Sequence, residues 1–202
     1  MLAQLRPALV ATLFFTLLLG VAYPLAVTGV AHVAFPKQAE GSLIRDGQGQ
    51  VIGSALIAQA FAKPQYLHPR PSAAGNDAYD ASNSGGSNLG PLNPDLAKRI
   101  AKDTAGLQGE GAGPVPADAV TTSGSGLDPD ISPANAQRQA ARVAAARGIP
   151  VSDVEKAIAG ATKTPWLGLF GQPAVNVLQA NLALDAAAPA RAAPIPAPAP
   201  AT

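Results

Sequence analysis

The chain has 202 residues and no cysteine, which excludes disulfide bonds, thiolate metal sites and cysteine nucleophiles. Its formal net charge is +1, from 14 basic and 13 acidic residues, and only 4% of residues are aromatic. Neither the basic face nor the stacking rings of a nucleic-acid-binding protein are indicated. Glycine and proline contribute 20 residues each, which predicts a loop-rich fold.

The N-terminal region is predicted to span a membrane once. No Asp, Glu, Lys or Arg occurs from Pro7 to Pro36, and a membrane-spanning helix needs about 20 apolar residues at ~1.5 Å each. We predict a transmembrane helix over residues 8–34, with a kink near Pro24. A cleaved secretory signal is the alternative, although its apolar region would run for only about 7–15 residues.

The charge at the N-terminus predicts the orientation. Residues 1–7 carry Arg6, and a short basic N-terminus stays in the cytoplasm under the positive-inside rule. The body, residues 35–185, is then expected outside the cytoplasm, in the periplasm. We therefore expect a single-pass membrane protein with one N-terminal transmembrane helix and a loop-rich α+β extracytoplasmic domain.

The body begins with a predicted hairpin and a long loop. Two short β-type runs, residues 42–45 and 50–53, flank a turn that contains Asp46 and Gly47, and an Asp-Gly turn between apolar runs favours a hairpin. Residues 64–90 are dense in Pro, Gly, Ser and Asn, so they are predicted to form loops.

Three helices are predicted from their capping residues. Asn93 and Pro94 begin a helix over residues 93–103, because Asn favours the N-cap and Pro the first helical position. Ser132 and Gly148 bound a helix over residues 133–147 in the same way. A third helix follows, for which Ser152 to Glu155 has the spacing of a capping box.

The C-terminal part of the chain divides into two segments. Residues 175–185 are apolar and compatible with either strand or helix, and Val175 and Val177 favour a strand. Residues 186–202 contain nine Ala and five Pro, which predicts a disordered, extended tail without a face to bury.

Catalytic motifs are absent from the sequence. It contains no phosphate-binding loop of the GxxxxGK[ST] type, and Ser125 lacks the flanking glycines of a nucleophile elbow. With His32 in the predicted helix, His68 is the only remaining imidazole, which makes a zinc site or a catalytic triad improbable. We predict a chain that is not an enzyme on its own and that has no metal site.

Two Gly- and Ser-rich loops are the candidate functional sites. Paired glycines let backbone amides converge on an anion or approach a partner chain closely, whereas tight turns satisfied by local side chains are the structural alternative. The first candidate set, for nucleotide binding or partner contact, is Ser84, Gly85, Gly86, Ser87 and Asn88 with Arg70 and Ser72. The second candidate set is Ser123, Gly124, Ser125, Gly126 and Asp128.

Short motifs along most of the chain resemble one known family. They are Leu5–Leu9, Gly41–Ile44, Gly53–Ser54, Gln59, Phe61, Arg70–Ala73, Ser84–Leu89, Val115–Asp118, Ser123–Asp128, Ile131–Pro133, Arg142–Ala144, Ala146–Arg147, Gly171–Pro173, Val175–Leu178 and Asn181–Asp185. In order and spacing they are similar to the C subunit of the bacterial high-affinity potassium-transporting Kdp ATPase. The tail from Ala186 lies outside this resemblance.

The resemblance implies a role in a membrane complex. Its other members would be a channel-like potassium-binding subunit, a P-type ATPase subunit that hydrolyses ATP, and a small membrane peptide, all in the bacterial inner membrane. This chain would be an accessory and assembly subunit that caps the outer potassium entrance. The resemblance also implies ATP as a ligand, since Ser84–Ser87 is similar to the Ser-Gly-Gly core of ABC-transporter signatures; for that loop we favour partner contact or a structural role.

Three functional hypotheses follow. The first is the potassium-pump subunit, in which Asp77, Asp80, Asp128 and Asp130 would raise the local K⁺ concentration or would simply be solvated loop carboxylates. The second is a free-standing membrane-anchored periplasmic binding module that uses residues 64–91 as its pocket. The third, an anchored hydrolase using Ser125 or His68, ranks far behind.

Overall fold

A single apolar helix occupies most of the first of two units, Met1–Ser54 and Ala55–Thr202, into which the chain divides. The computed structural model describes residues 2–111, 113–165, 167–168 and 170–187. A 3₁₀ turn precedes a continuous helical run made of α1 (Leu5–Leu17), a π-helical turn (Leu18–Ala22) and α2 (Tyr23–Ala34). Within Leu5–Ala34 a window of 18 residues has a mean hydropathy of 2.1, and none of that window is buried within the protein; the whole run has 30 residues. At ~1.5 Å per residue they measure about 45 Å, enough to cross a hydrocarbon core of about 30 Å.

The irregularity expected near Pro24 lies one turn earlier. In the π-helical turn, the Tyr23 N–H donates to the Leu18 carbonyl, five residues back. Pro24 has no N–H and its ring crowds the carbonyl four residues before it. A widened turn at residues 18–22 relieves that crowding without ending the helix.

The predicted hairpin is confirmed and belongs to the first unit. After α3 (Pro36–Ala39), strands β1 (Leu43–Arg45) and β2 (Val51–Ser54) pair antiparallel. The Asp46 side chain fixes the turn by accepting from the Gln48 and Gln50 N–H groups, both at 2.9 Å. The predicted body starts at residue 35, whereas the structure groups residues 35–54 with the membrane helix.

The second unit combines helices with one small sheet. Its elements are α4 (Pro94–Leu107), α5 (Ala117–Val120), β3 (Asp130–Ile131), α6 (Pro133–Arg147), α7 (Val151–Gly160), β4 (Thr162–Lys163), β5 (Ala174–Asn176) and α8 (Val177–Ala187). The three strands form an antiparallel sheet in the order β3-β5-β4. Residues 55–93 form neither helix nor strand, which confirms the predicted loop.

The core of this unit lies where α6, α7 and α8 pack around β5. On α6 it is lined by Ala136, Ala140 and Val143, which are at most 2% exposed. Leu67 reaches the same core from the long loop and is fully buried. The loop is therefore part of the packed domain and is positioned by it.

Two of the predicted helix starts are confirmed and one is wrong. The Asn93 side chain accepts from the Asp95 N–H at 2.9 Å, and Ser132 accepts from the Asn135 N–H at 3.1 Å. The capping box predicted at residues 152–155 is not formed, because α7 already begins at Val151 and has no side-chain cap. Pro150 supplies the turn into this helix instead.

The segment predicted as a strand is mostly a helix. Only Ala174–Asn176 pairs in the sheet, and α8 runs from Val177 to Ala187. The Asn176 side chain accepts from the Gln179 N–H at 3.0 Å, as an N-cap does. The first two residues of the predicted tail are thus helical, and residues 188–202 lie outside the described part of the chain.

Candidate functional site

The two candidate loops, 41 residues apart in sequence, lie against each other. The Gly85 N–H donates to the Ser125 carbonyl at 2.9 Å, and the Ser84 hydroxyl donates to the same oxygen at 2.9 Å. The Thr122 hydroxyl donates to the Ser87 hydroxyl at 3.3 Å. The structure thus brings both predicted sets into one paired-loop site, here defined as residues 84–88 and 121–128.

Close backbone contact explains two glycines of this site, Gly86 and Gly126. A Cβ on Gly126, whose φ is +68°, would lie 2.5 Å from the Gly85 carbonyl oxygen and 2.7 Å from the Ala74 nitrogen. A Cβ on Gly86 would lie 3.0 Å from the Gly124 oxygen. Any side chain at Gly126 would therefore force the two loops apart.

Arg70 holds the paired-loop site together. Its guanidinium donates to the Asp128 carboxylate at 2.9 Å and to the carbonyls of Thr121 and Thr122 at 3.4 and 3.3 Å. The side chains of Arg70 and Asp128 are 24% and 33% exposed, so water only partly screens this pair. One planar donor group thus links a carboxylate and two carbonyls of the second loop.

Ser72 fixes the turn that follows Arg70. Its hydroxyl oxygen accepts from the N–H groups of Ala74 and Tyr79, at 3.1 and 2.8 Å. The Tyr79 hydroxyl donates to the Arg70 carbonyl at 2.7 Å, and burial raises the pKa of Tyr79. This phenol therefore stays a neutral donor and fixes the backbone beneath Arg70.

The remaining hydroxyls of the second loop also have partners within the protein. Ser125 accepts from the Leu127 N–H at 3.1 Å, and Ser123 accepts from the Asp128 N–H at 3.5 Å. Asn88, in the first loop, has a φ of +52°, a conformation that Asn tolerates better than most residues. A ligand at the Ser123 or Ser125 hydroxyl would have to displace hydrogen bonds that already exist.

The acidic residues proposed to attract cations differ in their surroundings. Asp128 pairs with Arg70, and Asp130 pairs with Lys163 at 3.2 Å. The positive charges of these two side chains therefore offset the negative charges of both carboxylates. Asp77 is exposed. Within the described residues, no group of three or more His, Cys, Asp or Glu side chains has an arrangement that could hold a metal ion.

A second polar cluster, which the sequence did not reveal, clamps the backbone of residues 64–68. Asn181 accepts from the Leu67 N–H at 2.8 Å and donates to its carbonyl at 3.0 Å. Gln139 forms the same pair of bonds with His68, at 2.7 and 3.1 Å. Arg142 donates to the Pro64 carbonyl at 2.8 Å. The two side-chain amides thus form hydrogen bonds with the backbone N–H and carbonyl groups of the loop, as a neighbouring β-strand would.

Arg147 completes this backbone clamp from the end of α6. Its side chain is 0% exposed and pairs with Asp185 at 2.8 Å. It also donates to the Gln65 carbonyl at 2.7 Å, and its guanidinium carbon lies 5.1 Å from the centre of the Tyr66 ring. Asp185 in turn accepts from the Tyr66 hydroxyl at 3.2 Å. Both ends of the segment that leads into Arg70 are thus fixed to α6 and α8.

His68 lies beside a fixed cation. Its Nε2 is 3.1 Å from the Lys63 carbonyl oxygen and 3.4 Å from the Arg142 guanidinium. Burial, and then the charge of Arg142, lower the pKa of His68, against smaller opposing effects of Lys63 and Glu110. Nε2 donates to the Lys63 carbonyl in the tautomer that carries the proton on this nitrogen, and accepts from the Arg142 guanidinium in the other.

Comparisons with known proteins agree with the resemblance seen in the sequence. The family profile described as K⁺-transporting ATPase, c chain, matches residues 5–186. A protein of Caulobacter vibrioides named potassium-transporting ATPase KdpC subunit is 64% identical over 190 residues, 94% of this chain and 96% of its own. Proteins of the same name from Beijerinckia indica and Gemmatimonas aurantiaca are 57% and 54% identical, over 97% and 92% of this chain and 100% and 94% of their own. The chain belongs to the KdpC family of K⁺-transporting ATPase c chains.

Proposed function

We propose that this chain is a non-catalytic accessory and assembly subunit of a potassium-transporting ATPase. The observation that carries the proposal is the family match over residues 5–186, which includes the apolar helix, both candidate loops and the backbone clamp. Relatives that cover nearly the whole chain are named as subunits of such an ATPase. A P-type partner subunit would then hydrolyse ATP, and a channel-like partner subunit would transport K⁺ inward.

The proposal places α1 and α2 in the bacterial inner membrane and the second unit in the periplasm. The apolar run of 30 residues supports membrane anchoring. Arg6, at the N-terminal end of this run, supports a cytoplasmic N-terminus. In this orientation the paired-loop site would contact the outer potassium entrance or a partner subunit. The small membrane peptide would be a further member of the complex.

For the paired-loop site we propose partner contact rather than ATP binding. The Gly85 N–H and the Ser84 hydroxyl both donate to Ser125, so these two donors do not converge on an open anion site. The tight packing around Gly126 favours a preformed docking surface, since a fixed surface loses little conformational freedom on binding. ATP binding, which the resemblance implies, remains the competing role of the same loop.

ATP hydrolysis by the purified complex tests the accessory role. Complex that contains this chain should show K⁺-stimulated ATP hydrolysis, and complex prepared without it should lose assembly or stimulation. The Ser125→Ala and His68→Gln variants, if they assemble, should retain hydrolysis, because neither side chain is assigned a chemical step. Loss of hydrolysis in an intact complex with Ser125→Ala would contradict the non-catalytic role. Photo-crosslinking of labelled ATP to residues 84–88 would favour the competing role of that loop.

The alternative function is a free-standing membrane-anchored periplasmic binding module. One observation favours it: an open cleft of about 570 Å³, here called the α4 cleft, whose walls include Pro69, Pro71 and Tyr79 on the long loop and Leu107 on α4. Recovery of this chain from membranes without any pump subunit would support this alternative.

A further inference from the structure

The β1–β2 hairpin is fixed to the end of the apolar helix by backbone hydrogen bonds. The Phe35 N–H donates to the Ala31 carbonyl at 2.8 Å, and the Phe35 carbonyl accepts from the Ala39 N–H at 2.9 Å, so α3 directly follows α2. The Ser42 N–H, just before β1, donates to the Lys37 carbonyl at 2.8 Å. The backbone itself therefore places the hairpin at this end of the helix.

Side-chain hydrogen bonds close the hairpin at both of its ends. The Ser54 hydroxyl, at the end of β2, donates to the Gly41 carbonyl at 2.7 Å. At the turn, the Arg45 guanidinium donates to the Gly49 carbonyl at 3.0 Å, and one oxygen of the Asp46 carboxylate accepts from two backbone N–H groups. These bonds restrain the hairpin to one conformation.

Apolar side chains of this hairpin are left exposed. Leu43 is 38%, Val51 50% and Ile52 37% exposed, and Phe35, at the end of the helix, is 60% exposed. In the part of the chain that the structure describes, β1 and β2 form a sheet of only two strands. Such a hairpin is at most marginally stable in water and needs its apolar side chains covered. A further apolar surface would therefore stabilise it.

The length of the helix brings the hairpin to the level of the lipid headgroups. From Arg6 in α1 to Ala34 at the end of α2, the helical run measures about 42 Å, close to the ~40–45 Å of a bilayer with its headgroup regions. A charged side chain is costly in the hydrocarbon core. With Arg6 among the headgroups on one side, Ala34 reaches the headgroups on the other. The hairpin begins at this level, where lipid is the adjacent apolar surface.

The exposed charges of this region are balanced. Lys37 and Arg45 are basic, Glu40 and Asp46 are acidic, and all four are exposed. Anionic lipid surfaces attract clusters of Lys and Arg, whereas this balanced set matches zwitterionic headgroups, which carry a phosphate and an amine. The apolar side chains of the strands match the boundary between headgroups and acyl chains, into which interfacial elements insert by about 5–10 Å.

We propose that the β1–β2 hairpin docks on the phospholipid bilayer, on the side opposite the N-terminus, with Leu43, Val51 and Ile52 at the boundary between headgroups and acyl chains. This docking rests on the membrane placement in the proposed function, and it gives the chain a second membrane contact beside the helix. It restrains the chain at Ser54, the last residue before the second unit.

Spin-label accessibility in the full-length chain, reconstituted in phosphatidylcholine vesicles, tests this docking. The chain has no cysteine, so a label attaches only to an introduced one, here Val51→Cys on β2 or, as the matched control, Gln48→Cys in the polar turn. Docking predicts that oxygen, which dissolves in acyl chains, relaxes the Val51 label more than a water-soluble nickel chelate does, and that the Gln48 label shows the reverse. Stronger relaxation of the Val51 label by the nickel chelate would overturn the proposal. Protection from both reagents would show that protein covers this position and would overturn it too.

A label in the helix separates failure of the docking from failure of the membrane placement. Leu19→Cys lies in the π-helical turn, so its label should be relaxed by oxygen. If it is, while the nickel chelate relaxes the Val51 label, the hairpin proposal alone is wrong; if the nickel chelate relaxes both labels, the membrane placement is wrong as well. Raising NaCl from about 0.1 M to about 1 M, which screens charges, should leave the Val51 label unchanged. Loss of its access to oxygen at high salt would contradict docking through apolar side chains.

Discussion

Asn181→Leu tests how the long loop is fixed to the domain. Asn181 is 1% exposed and Leu67 fully buried, and the Asn181 side chain satisfies both the N–H and the carbonyl of Leu67. Leucine has a similar volume but bonds neither group. Each buried backbone group left without a partner costs about 1–3 kcal/mol, so we expect the free energy of unfolding to fall by about 2–6 kcal/mol.

Urea unfolding followed by circular dichroism of the full-length chain in detergent measures this change. With a dependence of roughly 2 kcal/mol per molar urea, the midpoint should fall by about 1–3 M. Gln179→Leu is the matched control, because it makes the same replacement at an exposed position of α8 and should change stability by no more than about 0.5 kcal/mol. Equal midpoints for the two variants would refute the assignment of Asn181 to a buried backbone clamp.

Three further variants probe the site and its surroundings. Arg70→Gln removes a partly screened ion pair and should destabilise the domain by about 1–2 kcal/mol, whereas Lys98→Gln, which removes an exposed pair, should have almost no effect; equal urea midpoints would contradict this. Gly126→Ala should be far more destabilising than Gly113→Ala, since both have positive φ but only Gly126 lacks space for a Cβ; similar losses on thermal unfolding would argue against loop contact. The pKa of His68 is lowered in the folded state, so its contribution to stability is complete above the unfolded value of about 6.5 and is lost as the pH falls through the folded-state value. Urea midpoints at pH 8 and pH 5.5 should therefore differ less in His68→Gln than in the unchanged chain; an identical pH dependence would contradict this.

The parts of the fold that were predictable are those encoded over a few neighbouring residues. The apolar run of the first unit, the Asp46 turn and the N-caps Asn93 and Ser132 are local signals, and each is present in the structure. The strand predicted over residues 175–185 is wrong for most of its length. The prediction gave more weight to the β-branched residues Val175 and Val177 than to the helical spacing of the apolar positions. Asn176 could have indicated the helix start, since Asn is a favoured N-cap.

The candidate site was predictable only in part. Its loops were identified from their Gly and Ser content, but their contact joins residues 41 positions apart, which no local pattern encodes. The backbone clamp is even harder to predict from the sequence, because Gln139 and Asn181 form hydrogen bonds to a loop that lies about 70 and 114 residues away along the chain. Asn181 did carry one usable signal: a polar residue inside an apolar segment is informative when it is buried.

Co-purification from membranes of cells grown in low potassium tests whether this chain is a subunit of a potassium pump. The full-length chain carries a C-terminal tag, is extracted in mild detergent, and its partners are identified by mass spectrometry. We expect a stoichiometric P-type ATPase subunit and a polytopic channel-like subunit to co-purify, and both to be lost when charged residues replace the apolar face of α1 and α2. Recovery of this chain alone would contradict the assignment to a potassium pump and favour the free-standing binding module.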